Sequence, residues 1–212
     1  MDIKVRNATK EDLDEILKVE EEAWGSEARA PKEVFLKRLN IFQKGFFVAD
    51  LKDVGIVGVT TSQIINYNPL NSPTSWDEIT GNGYLTTHDS NGNALYVVSI
   101  GVSQTRGKLN GQSLGCGSML LEKLKELTME LKLKYLVLRT RIPQYDSYCK
   151  RNGEINVEDY INLKREDNLP IDMELRFYER NGLRKVRLCP TLMDDKDSRG
   201  YGIMMEWKNP LL

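Results

Sequence analysis

Residues Ala94–Leu131 read ALYVVSIGVSQTRGKLNGQSLGCGSMLLEKLKELTMEL, and the fold turns on how this stretch is read. It opens as a nearly unbroken apolar run of β-branched and aromatic residues, Ala94–Val102, the pattern of a strand buried on both faces. A loop with glycines at 107, 111, 115 and 117 follows. Cys116, Leu120, Leu124, Leu127 and Leu131 then recur at spacings of four and three, which predicts an amphipathic helix. A strand, a glycine-rich turn and a helix start together make an anion site. The first turn leaves backbone N–H groups unpaired, and the macrodipole places partial positive charge there. Glycines let a phosphate approach without a Cβ in the way. The expectation is a phosphorylated ligand at the start of this helix.

Spacing separates the phosphate-binding motifs. No glycine of the loop is followed by Lys and then Ser or Thr, so the P-loop pattern is absent. The dinucleotide fingerprint G-x-G-x-x-G is also absent, and the strand does not open the chain. What the loop spells is Gln112-Ser113-Leu114-Gly115-Cys116-Gly117, a Q-x-x-G-x-G. After a buried strand this resembles the acyl-CoA pyrophosphate loop of the GCN5-related N-acetyltransferases, the GNAT superfamily. The usual family form has a further glycine where Ser113 stands, and a shorter lead-in than Gln104–Gly111. A second stretch, Leu175-Arg176-Phe177-Tyr178-Glu179-Arg180-Asn181-Gly182-Leu183, resembles the family's second signature, a short helix ending F-Y-E-x-N-G before the next strand. Asn181-Gly182 is a helix stop on physical grounds too, since both residues tolerate the left-handed conformation. The two signatures stand in the family's order with the strand Tyr135–Arg139 between them, and the resemblance runs from about Ile3 to Trp207.

The resemblance implies an α/β (α+β) fold: one GNAT-like domain over residues 1–212, with a mixed, mostly antiparallel central sheet flanked by helices. Two stretches, about 65–93 and 143–169, lie outside the family core as insertions. The implied activity is that of an N-acetyltransferase moving an acetyl group from acetyl-CoA directly to a primary amine. The acceptor, a small molecule or a peptide, is left open. The alternative is a non-catalytic acyl-CoA-binding or regulatory module of the same fold.

Length and composition are consistent with this. A chain of 212 residues is long enough for one well-buried core. Thirty basic and 31 acidic residues leave a formal net charge of −1, which argues against general nucleic-acid or membrane-surface binding. Cys116, Cys149 and Cys189 are odd in number and lack metal-ligand spacing, so a reducing compartment and no metal site are expected. With no signal-peptide pattern at the start and no apolar run long enough to span a bilayer, a soluble cytoplasmic protein is expected.

Taken in order, Asp2–Arg6 reads as a strand, and Thr9 with Asp12 as a capping box. Leu13, Ile16, Leu17, Glu20 and Trp24 follow at helical spacing, Gly25-Ser26 breaks that helix, and Pro31 suits the first turn of a second one. In the family such a helix pair walls the acceptor side. Gly45–Asp50 and Gly55–Ser62 form a predicted hairpin. The polar stretch from Ile65 to Asn93 is either an acceptor-site lid or a disordered surface loop. It holds the only histidine, His88, which is read as solvated. Arg139 and Arg141 end the strand after the central helix, either facing an anion or salt-bridged. The second insertion carries a predicted helix, Val157–Lys164, and either shapes specificity or serves a homodimer contact. Pro170 fits the start of the signature helix. Leu183–Leu188 and Gly202–Trp207 close the chain as strands joined by the acidic loop Pro190–Arg199.

The resemblance also distributes the chemistry. Backbone N–H groups of Gln112, Ser113, Leu114, Gly115, Cys116, Gly117 and Ser118 would hold the pyrophosphate, with Arg106 and Lys108 either adding charge or solvated. Backbone near Ile100 and Val102 would pair with the pantetheine arm and polarise the thioester carbonyl. Tyr178 would protonate the leaving thiolate. The Cys116 side chain is read as packing. The general base is not assigned: Tyr96 and Ser99 line the central strand without a carboxylate, and acids of both insertions remain open.

Overall fold

The computed structural model describes residues 2–24, 29–73, 75–109, 112–190 and 195–212. The expected break at Gly25-Ser26, the glycine at 111 and residues 191–194 of the acidic loop lie outside the described residues. The strands are β1 (Ile3–Asn7), β2 (Phe46–Leu51), β3 (Gly55–Ile65), β4 (Ala94–Val102), β5 (Lys108–Leu109), β6 (Gln112–Ser113), β7 (Tyr135–Arg141), β8 (Arg184–Cys189) and β9 (Gly202–Lys208). The helices are α1 (Leu13–Trp24), α2 (Lys32–Phe42), α3 (Trp76–Thr80), α4 (Cys116–Glu130), α5 (Tyr145–Asn152), α6 (Val157–Tyr160) and α7 (Met173–Arg180). The main sheet runs β1-β2-β3-β4-β7-β9-β8, and the β4–β7 pair alone among these is parallel.

Strand alternation divides the core. On one face Phe47, Ala49, Leu95, Val97, Leu136 and Leu138 pack with the leucine stripe of α4 (Leu120, Leu121, Leu124, Leu127) and with Leu175 and Tyr178 of α7. On the other, Phe46, Val48, Ile56 and Val59 meet Leu13, Ile16 and Val19 of α1 and Phe35 and Leu39 of α2. The α1 start is built as its sequence predicts: the Thr9 N–H donates to Asp12 Oδ2 at 2.8 Å, and Arg6 holds the same carboxylate.

The first insertion is not a solvated loop. β3 runs on through Ile65, and Tyr67, Ile79 and Leu85 are buried against Ala94, Tyr96, Val98, Val137 and Met204. Trp76 Nε1 donates to the Val98 carbonyl at 2.9 Å, which fixes α3 onto β4. This wall of irregular backbone escaped prediction because its apolar residues follow no period.

The second insertion braces α7. Its predicted helix Val157–Lys164 stops at Tyr160, and a helix unforeseen in the sequence, α5, precedes it. Tyr160 stacks against Tyr145 and Tyr148, with ring centroids 4.8 and 5.3 Å away. Asp172, not Pro170, starts the signature helix: its carboxylate accepts from the N–H groups of Glu174 (3.0 Å), Leu175 (3.3 Å) and Gln144 (3.2 Å) and from the Tyr160 hydroxyl (3.1 Å). Removing a buried acceptor that serves four donors strands them. Asp172→Ala is therefore expected to cost about 2–3 kcal/mol. The check is a lower urea midpoint at unchanged slope. At the other end Gly182, at φ +78°, closes α7, with the Leu183 N–H reaching the Tyr178 carbonyl at 3.0 Å. Asn181 stays right-handed, so glycine alone takes the left-handed position.

Candidate active site

The parallel pairing of β4 with β7 ends early. It covers Ala94–Val97 against Tyr135–Leu138, yet β4 continues to Val102 along β3 and β7 continues to Arg141 along β9. A register shift opposite Thr61/Ser62 places an extra residue, Val98, in β4 where the two strands part. Beyond it the β7-facing edge of Val98–Val102 has no strand partner among the described residues. Main-chain donors and acceptors on such an edge can take an extended ligand that carries amides of its own. Ile100 and Val102 lie on this segment, half-buried.

The open edge leads to the start of α4. Val102 Cγ2 is 3.8 Å from where a Cβ on Gly117 would sit. Gly115 caps the helix at φ +75°, a conformation that favours glycine, and the space around its missing Cβ is open. A Cβ on Gly117 would press on the Phe177 ring at 3.2 Å, a packing reason for glycine there. The loop before the helix is a hairpin, β5 against β6, with Gln112 opposite Leu109 and Ser113 opposite Lys108. The Leu114 N–H donates to the Gly107 carbonyl at 3.0 Å and the Gly115 N–H to Ser113 Oγ at 3.2 Å. Among the described residues the amides of Cys116, Gly117 and Ser118 carry no such bond. Arg106 is fastened to α1, at 3.0 Å from Glu15 and 3.2 Å from Glu22, and Lys108 reaches Gln104 at 3.3 Å. The Cys116 thiol is fully buried in the core and burial pushes its pKa up, as a packing residue requires.

Tyr178 enters from the α4 side. It is 7 % exposed, and none of the hydrogen bonds of the described residues uses its hydroxyl. Burial, reinforced by Glu174 and Tyr96, raises its pKa, which keeps the phenol protonated across the neutral range. Glu174 itself accepts from the Thr140 hydroxyl at 2.8 Å.

The opposite side is polar where packing alone would make it apolar. Arg38 of α2 is buried, with Nε on the Gly83 carbonyl at 2.8 Å and one terminal nitrogen 3.1 Å from Thr61 Oγ1 and 3.4 Å from Ser99 Oγ. Burial lowers its pKa to about 10, against the pull of Glu20. Glu20 of α1 is also buried, and its Oε1 lies 3.3 Å from the Cβ position of Gly101, as does Trp24 Nε1.

No family model matches the sequence. The N-acetyltransferase YkwB of Bacillus subtilis (strain 168), itself uncharacterized, is 31% identical over 212 residues, 98% of this chain and 89% of that protein. The chain belongs to the GNAT superfamily. It is also 28% identical to part of the probable hydrolase YhcX of the same organism, matching over 97% of its own length but 38% of that longer protein. Among solved structures, the loading GNATL domain of CurA from Lyngbya majuscula superposes with a TM-score of 0.84 at 20% identity over 100% of both chains. The GphF GNAT-like decarboxylase, solved with isobutyryl-CoA, does so at 0.79 and 24% identity, over 97% of this chain and 99% of that one. Ard1 from Thermoplasma volcanium gives 0.59 at 14% identity, with 98% of each chain covered. These structures share the GNAT fold.

Of the residues named from the two signatures, Ile100 and Val102 lie on the β4 segment past its pairing with β7, and Val102 comes close to Gly117 at the α4 start; Tyr178 packs with the α4 layer. Arg38, Thr61 and Glu20 were not foreseen as site residues. For Glu20 a signal existed, a carboxylate on the buried stripe of α1. For Arg38 and Thr61, brought together from α2 and β3, none did. His88 is half-buried rather than solvated: its Nδ1 accepts from the Ile64 N–H at 3.1 Å, its ring stacks on Phe42 at 4.7 Å, and burial lowers its pKa. Arg141 pairs with Asp195 at 2.6 Å, the salt-bridged alternative. No group of His, Cys, Asp and Glu among the described residues is arranged to hold a metal. No helix among them is long and apolar enough to cross a membrane.

Proposed function

We propose that this chain transfers an acetyl group from acetyl-CoA directly to a primary amine of a small molecule or peptide. One observation carries the reading: past its pairing with β7, the β4 segment Val98–Val102 leads toward the start of α4, where the amides of Cys116, Gly117 and Ser118 carry no bond among the described residues. An acyl-CoA has the matching order of groups, with a thioester, an arm containing two amides, and a pyrophosphate. The pyrophosphate sits on the α4 amides, where the dipole favours anions. The arm pairs along Ile100 and Val102, which orients the thioester carbonyl toward strand N–H groups. The amine attacks that carbonyl, the C–S bond breaks, and the Tyr178 hydroxyl gives its proton to the departing sulfur, whose thiol pKa of roughly 8.5 makes such assistance useful. The test is calorimetry with acetyl-CoA and with CoA. Binding is expected for both, and a well-folded chain that binds neither removes the reading.

A second reading is favoured by the solved structures. The CurA GNATL domain and the GphF GNAT-like decarboxylase superpose over the whole chain at 0.84 and 0.79, against 0.59 for Ard1. In a decarboxylase of carboxyacyl-CoA the same seat would hold the thioester while CO2 leaves and the resulting carbanion is protonated. Malonyl-CoA as substrate separates the two: CO2 release without any amine supports decarboxylation, and its absence alongside acetyl transfer supports the first reading. Binding without turnover in either assay identifies the non-catalytic module.

A further inference from the structure

We propose that Glu20 is the general base of the transfer, taking the proton of the acceptor amine as it attacks the thioester. The inference rests on the acetyltransferase reading and supplies the proton acceptor that the signatures left unassigned.

The case begins with bonding. Among the described residues Asp172, Glu206 and Glu20 are the buried carboxylates. Asp172 caps α7, and Glu206 is held by Arg184 at 3.0 Å and by the Tyr67 hydroxyl at 3.1 Å. Glu20, 2 % exposed, has no partner for Oε1. Leaving a carboxylate oxygen buried and unpaired is costly, so its retention calls for an explanation in function. Trp24 Nε1, one helical turn on, is also buried and lies close enough to act on this carboxylate, though the two form no hydrogen bond of normal geometry.

Position gives the second part. Both atoms lie 3.3 Å from the missing Cβ of Gly101, between Ile100 and Val102 on the strand segment that would orient the thioester. A side chain at 101 would fill this space, and glycine leaves it to α1. Glu20 and Tyr178 then approach β4 from opposite faces of the sheet, one packed with the α1–α2 layer and the other with α4. A base on the acceptor side and an acid on the thiol side are what the two proton transfers require. The other candidates are engaged: Glu22 accepts from Ser103, Thr105 and Arg106, and His88 Nδ1 is taken by the Ile64 amide.

Electrostatics agrees with the geometry. Burial pushes the Glu20 carboxyl up to about 7, while the positive charge of Arg38 and the Trp24 indole hold it back. On the elements packed against α1, namely α2, β3 and β4, Arg38 is the charged group that acts on it; Thr61 and Ser99 are neutral and bonded to Arg38. In the step itself the amine nitrogen bonds to the carbonyl carbon and its proton passes to Glu20. The C–S bond then breaks, and the sulfur takes the Tyr178 proton. Proton exchange with water returns Glu20 to the carboxylate and Tyr178 to the phenol.

The experiment compares the native chain with Glu20→Gln and Glu20→Asp. CoA release from acetyl-CoA is followed with spermidine, kanamycin, phenylalaninamide and an alanyl peptide as probe amines, and with water alone as nucleophile where no amine is acetylated. Acetyl-CoA affinity and thermal midpoint are measured alongside. Glu20→Gln is expected to lose roughly 100–1,000-fold in turnover at unchanged acetyl-CoA affinity. The native rate should rise through a limb near pH 7 that Glu20→Gln lacks and Glu20→Asp displaces. Turnover within about threefold of native, or a limb that persists in Glu20→Gln, overturns the proposal. If Glu20→Gln does not fold, the native profile decides: a rate without that limb, or one that Glu20→Asp leaves in place, also overturns it. Native protein that fails to bind acetyl-CoA in calorimetry marks instead the failure of the acetyltransferase reading.

Discussion

Ser118→Asp should sharply weaken acetyl-CoA binding while leaving α4 as stable as before or slightly more so. Ser118 is the third residue of the helix, and its amide is one of three at the helix start with no bond among the described residues. An acidic side chain in the first turn complements the macrodipole and stabilises a helix by about 0.3–1 kcal/mol. The same charge meets the pyrophosphate at close range. Like charges about 4 Å apart repel by roughly 1–4 kcal/mol, from water to surface-like dielectric, so a loss of roughly 5- to 1,000-fold in affinity follows. Ser118→Ala is the control and should bind within a few-fold of native. This pair is cleaner than an acidic residue at Gly117, because any side chain there presses on Phe177 and disturbs the signature helix along with the charge. Native-like affinity in Ser118→Asp would take the phosphate away from the α4 start.

Tyr178→Phe carries the second large effect. Loss of the proton donor to the leaving sulfur is expected to lower kcat by roughly 100–1,000-fold with acetyl-CoA affinity unchanged. Stability should not fall with it. No hydrogen bond of the described residues uses the hydroxyl, so its removal should be close to neutral. A purely structural tyrosine would show no such divergence between activity and stability. Because burial raises the Tyr178 pKa, its ionisation contributes no falling limb to the native pH profile between about pH 7 and 9. Turnover within about threefold of native in Tyr178→Phe would remove it from the mechanism.

The two insertions acquire a physical role from these contacts. α5 and α6 reach α7 through the Tyr160–Asp172 bond and the Lys164–Glu179 pair at 2.9 Å, and so brace the helix that carries Tyr178. The first insertion fixes the other side, holding Arg38 through the Gly83 carbonyl and covering Val98 with Trp76.

By itself the sequence determined whatever depends on neighbours a few residues apart. The apolar run Ala94–Val102, the leucine period of α4, the Thr9–Asp12 box and the Gly182 stop are local signals, because periodicity and capping act within one or two turns. The two signatures were legible for the same reason: each is a contiguous stretch whose backbone demands particular residues. Other features were decided by the tertiary structure alone. Gly117 is small because Phe177, 60 positions away in the chain, occupies its Cβ space. Tyr67, Ile79 and Leu85 are core because the sheet offers a face for them, although no spacing marks them. Glu20 reads locally as one acid among many on α1. Its isolation exists only where α1, α2 and the open edge of β4 meet, since desolvation and the lack of a partner are properties of the packed interior and not of the residue.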